Sequence, residues 1–170
     1  MFVLGHLGIG SRLVSGLRRK GLPQKPLAWS LYFGCLLPDL IDKPLFYGLH
    51  LLHGSWPLIT GSRTFGHTGL FLLALLLGAA LLRRPWATAI AAGVVTHFAL
   101  DIAGELVTGA EPDSSIWLAV FFPAYGLHFP VAHFTSLLEH LMVSAQSGYL
   151  LAGELVGGLL LIQTYRQRSS

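Results

Sequence analysis

A histidine and an aspartate, His97 and Asp101, stand four positions apart inside the apolar segment 86–107. Residues four apart share one face of a helix, so the two side chains face the same neighbour. Imidazole and carboxylate are both metal ligands, and ionisable groups in so apolar a segment need a partner. One interpretation is a metal site, and the other is a buried polar pair that hydrogen-bonds internally and to the backbone. For one histidine alone the polar pair is favoured, but further residues favour the metal.

Three further candidate ligands belong to other apolar segments. They are His6 in the Gly-rich N-terminal segment, Asp39 near the end of a second segment, and His67 at the start of a third. Three imidazoles and two carboxylates suit zinc, or a dinuclear zinc, manganese or iron site. The same donors do not suit copper(I) or an iron–sulfur cluster. The predicted cofactor is therefore a divalent metal ion.

Several other polar residues have a structural interpretation. His50 and His53 are predicted not to bind metal, because they lie in a mixed stretch with tryptophan and tyrosine that is typical of an interfacial loop. Asp42 is interpreted as the polar boundary of a helix, paired with the adjacent Lys43. Cys35, the only cysteine, is interpreted as a packing residue, which excludes an internal disulfide and a cysteine-ligated zinc site.

The composition places the chain in a membrane. Of 170 residues, 53% are hydrophobic and 11% are charged, whereas an ordinary soluble domain has about 25% charged residues. The mean hydropathy is +0.62, and the length predicts a single integral-membrane domain over residues 1–170. The net charge of +3 is carried in short basic runs, which indicate cytoplasmic flanks rather than a nucleic-acid surface. The lipid bilayer is therefore an expected partner, and nucleic acid is not.

The apolar runs predict an all-α fold, a polytopic membrane helix bundle of four or five transmembrane helices. The predicted spans are 27–41, 65–82, 86–107 and 148–165, with 1–17 as either a poor first span or an interfacial helix. Segment 44–62 is predicted to be a connection. The aromatic-rich segment 116–130 contains two prolines and is predicted to be broken or re-entrant. Segment 131–147 is predicted to be helical, with His133 and His140 on one face.

The basic residues predict which end of the bundle holds the candidate ligands. They cluster at 18–25, 83–84 and 166–168, and the positive-inside rule assigns all three clusters to the cytoplasm. The spans then carry Asp39, His67, His97 and Asp101 to a similar depth on the extracytoplasmic side. His6 joins them if segment 1–17 crosses the membrane.

The order of the motifs resembles the membrane-bound metal-dependent hydrolase family. The motifs are His6, Leu37-Pro38-Asp39, Arg63 with His67-Thr68, and His97-Phe98-Ala99-Leu100-Asp101, followed by a glycine and a Pro-rich aromatic stretch. This family is a bacterial and archaeal inner-membrane group, some of whose members are linked to the LexA regulon. It is distantly similar to zinc-dependent phospholipase C. The resemblance extends to about residue 130 and implies a metal-dependent hydrolase in the inner membrane.

The chain departs from the family pattern at one place. The family tends to have a His-Arg pair before a Thr-His-Ser motif, whereas this chain has Ser62 before Arg63, and Gly66 and Thr68 on either side of His67. This leaves His133 as a candidate substitute ligand.

The predicted function is hydrolysis of an ester or phosphoester in a lipid or lipid-linked substrate that arrives laterally. A bound metal lowers the pKa of water toward about 7 and so supplies a nucleophile. Arg63, four residues before His67, would hold a phosphate or an oxyanion, and Glu105, one turn beyond Asp101, would be the general base. The alternative for these two residues is a salt bridge at the rim. The alternative function is a non-catalytic membrane scaffold or carrier whose His/Asp cluster is structural.

Overall fold

The computed structural model describes residues 3–18, 24–54, 56–109 and 111–169. Within these ranges the chain is all-helical, as predicted, with two short 3-10 helices at Phe65–His67 and Pro112–Ser114. The α-helices are α1 Val3–Arg18, α2 Gln24–His53, α3 Gly69–Leu82, α4 Pro85–Thr108, α5 Ile116–Val120, α6 Leu137–Ala145 and α7 Gly148–Ser169.

Helix α2 is longer than the sequence predicts. It continues for 30 residues through Pro38 and Pro44 to His53, so the prediction that 44–62 is only a connection was wrong. A proline inside a helix removes one hydrogen bond and usually kinks or ends the helix. Here tertiary packing holds both halves, because Cys35 before the prolines is 0% exposed and Phe46 after them is 4% exposed.

Helices α2 and α4 run parallel and in close contact. Leu31 and Cys35 of α2 lie against Gly93 of α4, and the carbonyl oxygen of Cys35 accepts a hydrogen bond from His97 Nδ1 at 2.8 Å. A Cβ atom on Gly93 would overlap the carbonyl oxygen of Leu31, so glycine permits this spacing. The close approach carries His97 to the level of the polar residues of α2.

Helices α1 and α7 also run parallel. The carboxylate of Glu154 accepts hydrogen bonds from the backbone N–H of Leu4 at 3.1 Å and of Gly5 at 2.8 Å. About two turns further along α1, the Ser11 and Thr164 hydroxyls are 3.0 Å apart. These contacts fix the first turn of α1, which holds His6, against the last long helix.

The helix directions separate the basic residues from the candidate ligands. The α3–α4 connection with Arg83 and Arg84 lies at the end of the bundle where α1 and α7 finish. His67 immediately precedes α3, whereas Asp101 lies two turns before the end of α4. The candidate ligands therefore lie toward the end opposite the α3–α4 connection.

Length and composition identify few spans in the described part of the chain. Helix α4 is long and apolar enough to cross a membrane. Helices α6 and α7 are long and apolar enough only when they are counted as one segment, which bends by 93° between them. Helix α3 is apolar but has 14 residues, because its predicted start is the 3-10 helix Phe65–His67. The structure thus identifies one or two spans, and the prediction of four or five is not confirmed.

The segment before α7 is only partly helical. Helix α5 has five residues, and turns and irregular backbone follow it as far as Ser136. Helix α6 begins where the Ser136 hydroxyl accepts from the Glu139 N–H at 3.2 Å, a capping box that fixes the helix start. The prediction that His133 and His140 share a helix face was wrong, because His133 precedes this cap.

Candidate metal centre

Two histidines and an aspartate form the middle of the site. His67 Nε2 lies 3.1 Å from His97 Nε2, and Asp101 Oδ2 lies 3.7 Å from the first and 3.9 Å from the second. His67 and His97 are 0% exposed, and Asp101 is 5% exposed. Donor atoms that bind one ion at about 2.1 Å lie no more than about 4.2 Å apart, so these spacings fit a common ion.

His6 reaches the same site from α1. Its ring stacks on that of His97, with centroids 4.0 Å apart and an interplanar angle of 12°, and its Nε2 lies 3.5 Å from Asp101 Oδ1. The side chain is 0% exposed, yet neither ring nitrogen has a hydrogen-bond partner. A buried polar atom without a partner costs free energy. A buried imidazole with both nitrogens unsatisfied fits the role of a metal ligand.

Asp39, on α2, is the fifth candidate ligand of the site. Its Oδ1 lies 3.8 Å from His67 Nε2, and its Oδ2 accepts from Lys43 Nζ at 2.6 Å. Lys43 was expected to pair with Asp42, but adjacent residues on a helix point in different directions and residues four apart share a face. The observed partner of Lys43 is therefore Asp39, which corrects that prediction.

Asp42 is the residue whose role the sequence interpretation missed. It is 0% exposed, and it accepts four hydrogen bonds, one of them from His67 Nδ1 at 2.7 Å. The other three come from the Thr64 N–H, the Thr64 hydroxyl and the Gly66 N–H at 2.7–2.8 Å. A carboxylate on one ring nitrogen turns the other toward a metal and raises its basicity. The spacing of three between Asp39 and Asp42 was the available signal.

The five predicted ligands come together in two overlapping groups that could hold an ion. The first is His6, Asp39 and His97, and the second is His67, His97 and Asp101. His97 Nδ1 is occupied by the Cys35 carbonyl oxygen, so Nε2 is the atom that faces the site. One nitrogen lone pair binds one metal ion, so the two groups cannot each hold an ion through His97 at the same time.

The carboxylates around His67 favour its protonated form. Burial by itself lowers the pKa of His67, but the Asp101 and Asp42 carboxylates outweigh burial and raise the pKa above its usual value. Because a protonated imidazole cannot bind a metal, a proton and a metal ion would compete for His67.

A cavity of about 410 Å³ opens beside the site. Charged residues line it, among them Asp39, Lys43, Arg63, Asp101, Glu105 and Glu111, and so do the apolar residues Val143 and Leu150. Polar groups that converge at one part of a largely preformed pocket are typical of a ligand site.

The two residues predicted to be catalytic both line this cavity. Arg63 Nε lies 3.4 Å from Asp101 Oδ2. Glu105 accepts from the Ser115 hydroxyl and from the Ile116 N–H, each at 2.6 Å, and so anchors the start of α5. The structure thus gives Arg63 and Glu105 different partners, rather than the rim salt bridge that was the alternative.

The remaining histidines lie outside both groups of ligands. The His50 ring packs near Phe46, at a centroid distance of 5.9 Å, and the side chain of His53 is outside the described residues. His133 lines the cavity as an exposed side chain. Of these three, His133 is the one placed to contact a molecule in the cavity.

Comparison with known proteins gives one finding. The family model for YdjM inner membrane proteins matches residues 1–167. The chain belongs to this family. No curated protein and no solved structure matches it.

Membership of the YdjM family supports the inner membrane as the location of the protein, as the resemblance implied. It also supports the choice of a membrane class from composition. Membership of the family does not show hydrolysis, so hydrolase activity and similarity to zinc-dependent phospholipase C stay predictions.

Proposed function

We propose that this member of the YdjM family is a metal-dependent inner-membrane hydrolase. It acts on an ester or phosphoester of a lipid or lipid-linked substrate. The observation that carries the proposal is the His6 ring, which is fully buried beside Asp101 and has no hydrogen-bond partner on either nitrogen. A divalent ion is the partner that would satisfy this ring and its neighbours together.

The site holds one ion, with His6, Asp39, His67, His97 and Asp101 as its ligands. The single available nitrogen of His97 supports this stoichiometry over a dinuclear site. Zinc suits these nitrogen and oxygen donors, and manganese or iron would tolerate a fuller set of ligands.

The residues around the ion provide the remaining chemistry. A bound divalent ion lowers the pKa of water toward about 7, which supplies a nucleophile at neutral pH. Arg63 binds the substrate oxyanion with its planar guanidinium group. Glu105, one helical turn from Asp101, accepts the proton of the attacking water. Its hydrogen bonds to Ser115 and Ile116 fix the orientation of the carboxylate.

The surface supports a multi-pass arrangement in which a substrate arrives from the bilayer. Helix α3 exposes a set of leucines that lipid would cover: Leu70, Leu73, Leu76, Leu77 and Leu81. The site lies at the end opposite Arg83 and Arg84, so the positive-inside rule places it on the extracytoplasmic side. Four or five segments then cross the membrane, including α2 and α3.

A non-catalytic scaffold or carrier is the second candidate. The pairs Lys43–Asp39 and Arg63–Asp101 favour it, because they neutralise two carboxylates without a metal. These pairs leave the His6 ring nitrogens unsatisfied, so a purely structural cluster explains less of the site.

Metal analysis of detergent-purified protein tests the proposal. We expect one divalent ion per chain by mass spectrometry, and a lower unfolding temperature after treatment with a chelator, since an ion that binds only the folded state stabilises it. Protein without stoichiometric metal, whose unfolding temperature is the same in chelator, would favour the structural cluster.

A further inference from the structure

Two cations share the cavity wall with the metal ligands. Lys43 Nζ lies 2.6 Å from Asp39 Oδ2, and Arg63 Nε lies 3.4 Å from Asp101 Oδ2. Their side chains are 23% and 35% exposed, so both can be reached from the cavity that they line. Each cation therefore holds one of the carboxylates that the ion requires.

A bound ion would change the pairing of the two cations. Asp39 and Asp101 contribute two negative charges, Lys43 and Arg63 two positive charges, and a divalent ion two more, which leaves +2 for these five groups. Asp42 behind His67, together with Glu105 and Glu111 on the cavity wall, brings the total to −1. Carboxylates that bind an ion pair less strongly with Lys43 and Arg63, and an unpaired charge in a site of low dielectric is expensive. The loaded site would therefore leave two cations with which an anionic ligand can pair.

The arrangement of the cations specifies the kind of anion. Lys43 comes from α2 and Arg63 from the loop before α3, so the two cations reach the cavity from different elements. An anion that satisfies three separate positive groups needs several acceptor oxygens. A tetrahedral phosphate has them, and arginine binds phosphate through two parallel hydrogen bonds.

Apolar side chains also line the cavity. Leu100 of α4, Val143 of α6 and Leu150 of α7 line it. Burial of an apolar chain against such side chains contributes about 0.8 kcal/mol per methylene group. A volume of about 410 Å³ accommodates a head group and the first carbons of a chain.

We propose that Lys43 and Arg63 form a phosphate-binding site beside the metal, and that the cavity takes a lipid phosphoester by its phosphate group. This inference rests on the proposed function and narrows its substrate from esters in general to phosphoesters. Lys43 gains a role in binding that its pairing with Asp39 alone does not provide.

Calorimetric titration of the purified, zinc-loaded full chain tests the site with three probes. They are inorganic phosphate, a short-chain phosphatidic acid, and the diacylglycerol with the same chains. We expect phosphatidic acid to bind tightest, inorganic phosphate to bind more weakly, and diacylglycerol to bind at least tenfold more weakly than phosphatidic acid. Each charge-assisted contact is strong enough to account for such a factor. Inorganic phosphate that binds as tightly as the lipid would support the site and identify a soluble source.

Substitutions at the cations provide the second arm. Lys43→Gln and Arg63→Gln should each weaken phosphatidic acid binding about tenfold or more, and Lys43→Arg should restore most of the loss. Arg84→Gln, an exposed cation at the other end of the bundle, is the control and should change nothing. The zinc content of every variant is measured first, so that a misfolded variant is recognised.

The two proposals fail in different ways. If the wild-type chain binds zinc but binds diacylglycerol as tightly as phosphatidic acid, the phosphate site is overturned and the metal site stands. The same conclusion follows if both glutamine variants keep zinc and full affinity for phosphatidic acid. If the wild-type chain binds no zinc, the proposed function fails and the phosphate site fails with it.

Discussion

At the scale of single residues, the candidate ligands differ from the other histidines in their burial and in their contacts. His97→Ala should abolish metal retention, because the loss leaves four other polar groups around an incomplete shell. His50→Ala is the matched control and should leave retention within about twofold, since a partly exposed histidine contributes little beyond local packing. The measurement is metal content per chain after dialysis. Equal losses from both variants would contradict the assignment.

Asp42 should act on metal affinity through His67. Asp42→Asn keeps an acceptor for the backbone N–H groups but removes the negative charge beside His67 Nδ1. We expect the affinity for zinc to fall about 10- to 100-fold, as it does when such partners are removed elsewhere. Competition with a chelator measures the change, and Asp113→Asn, an exposed carboxylate, is the control. Unchanged affinity would show that Asp42 only supports the loop.

The Glu105→Gln variant distinguishes a catalytic role of Glu105 from a structural role at the start of α5. Glu105→Gln keeps an amide oxygen that can accept from the Ile116 N–H, so fold and metal content should persist. Turnover of a phosphoester substrate should be lost, because an amide is not a general base. Loss of activity with intact metal content supports the catalytic role. Activity that survives, with only a small drop in unfolding temperature, would leave Glu105 as the anchor of α5.

The sequence was enough to predict the candidate ligands but not every residue that orients them. His97 and Asp101 stand out because ionisable groups four residues apart in an apolar segment are costly unless they have a partner. Asp42 does not stand out, because it is adjacent to Lys43 in the sequence and the two residues are easily taken for an ion pair. Adjacent residues on a helix point in different directions, whereas residues four apart share a face. Lys43 therefore pairs with Asp39, and Asp42 pairs with His67.

At the scale of helices, α1 depends on its contact with α7. Glu154→Ala removes the acceptor of two N–H groups in the first turn of α1, which have no partner within the helix itself. The free energy of unfolding should fall by about 1–3 kcal/mol, and zinc affinity should fall with it because His6 lies in that turn. Glu139→Ala removes the carboxylate that accepts from the Thr135 and Ser136 N–H groups before α6, and should lower stability without changing zinc affinity.

Helix boundaries were predictable where the sequence contains clear start and stop signals. They were not predictable where tertiary packing determines the length of the helix. Helix α4 follows its predicted limits closely, because Pro85 at its first turn and Gly109 after its end are consistent start and stop signals. Helix α2 passes through two prolines that usually end a helix. Its length follows from the packing of Cys35 and Phe46, which the order of residues alone does not specify.

At the scale of the whole molecule, the separation of charges predicts the orientation in the membrane. On a Cys35→Ala background, single cysteines at Arg84 and Glu111, both exposed, report the two ends of α4. An impermeant maleimide added to intact cells should label the cysteine at position 111 and not the one at 84. Labelling with the opposite sidedness would place the candidate metal centre in the cytoplasm.

The parallel contact between α1 and α7 has a consequence for biosynthesis. His6 emerges from the ribosome among the first residues, but the carboxylate that fixes its helix belongs to Glu154. Before this glutamate is synthesised, the contact that fixes the first helix cannot form. If the site binds a metal as proposed, the complete set of five ligands would therefore assemble only late in synthesis.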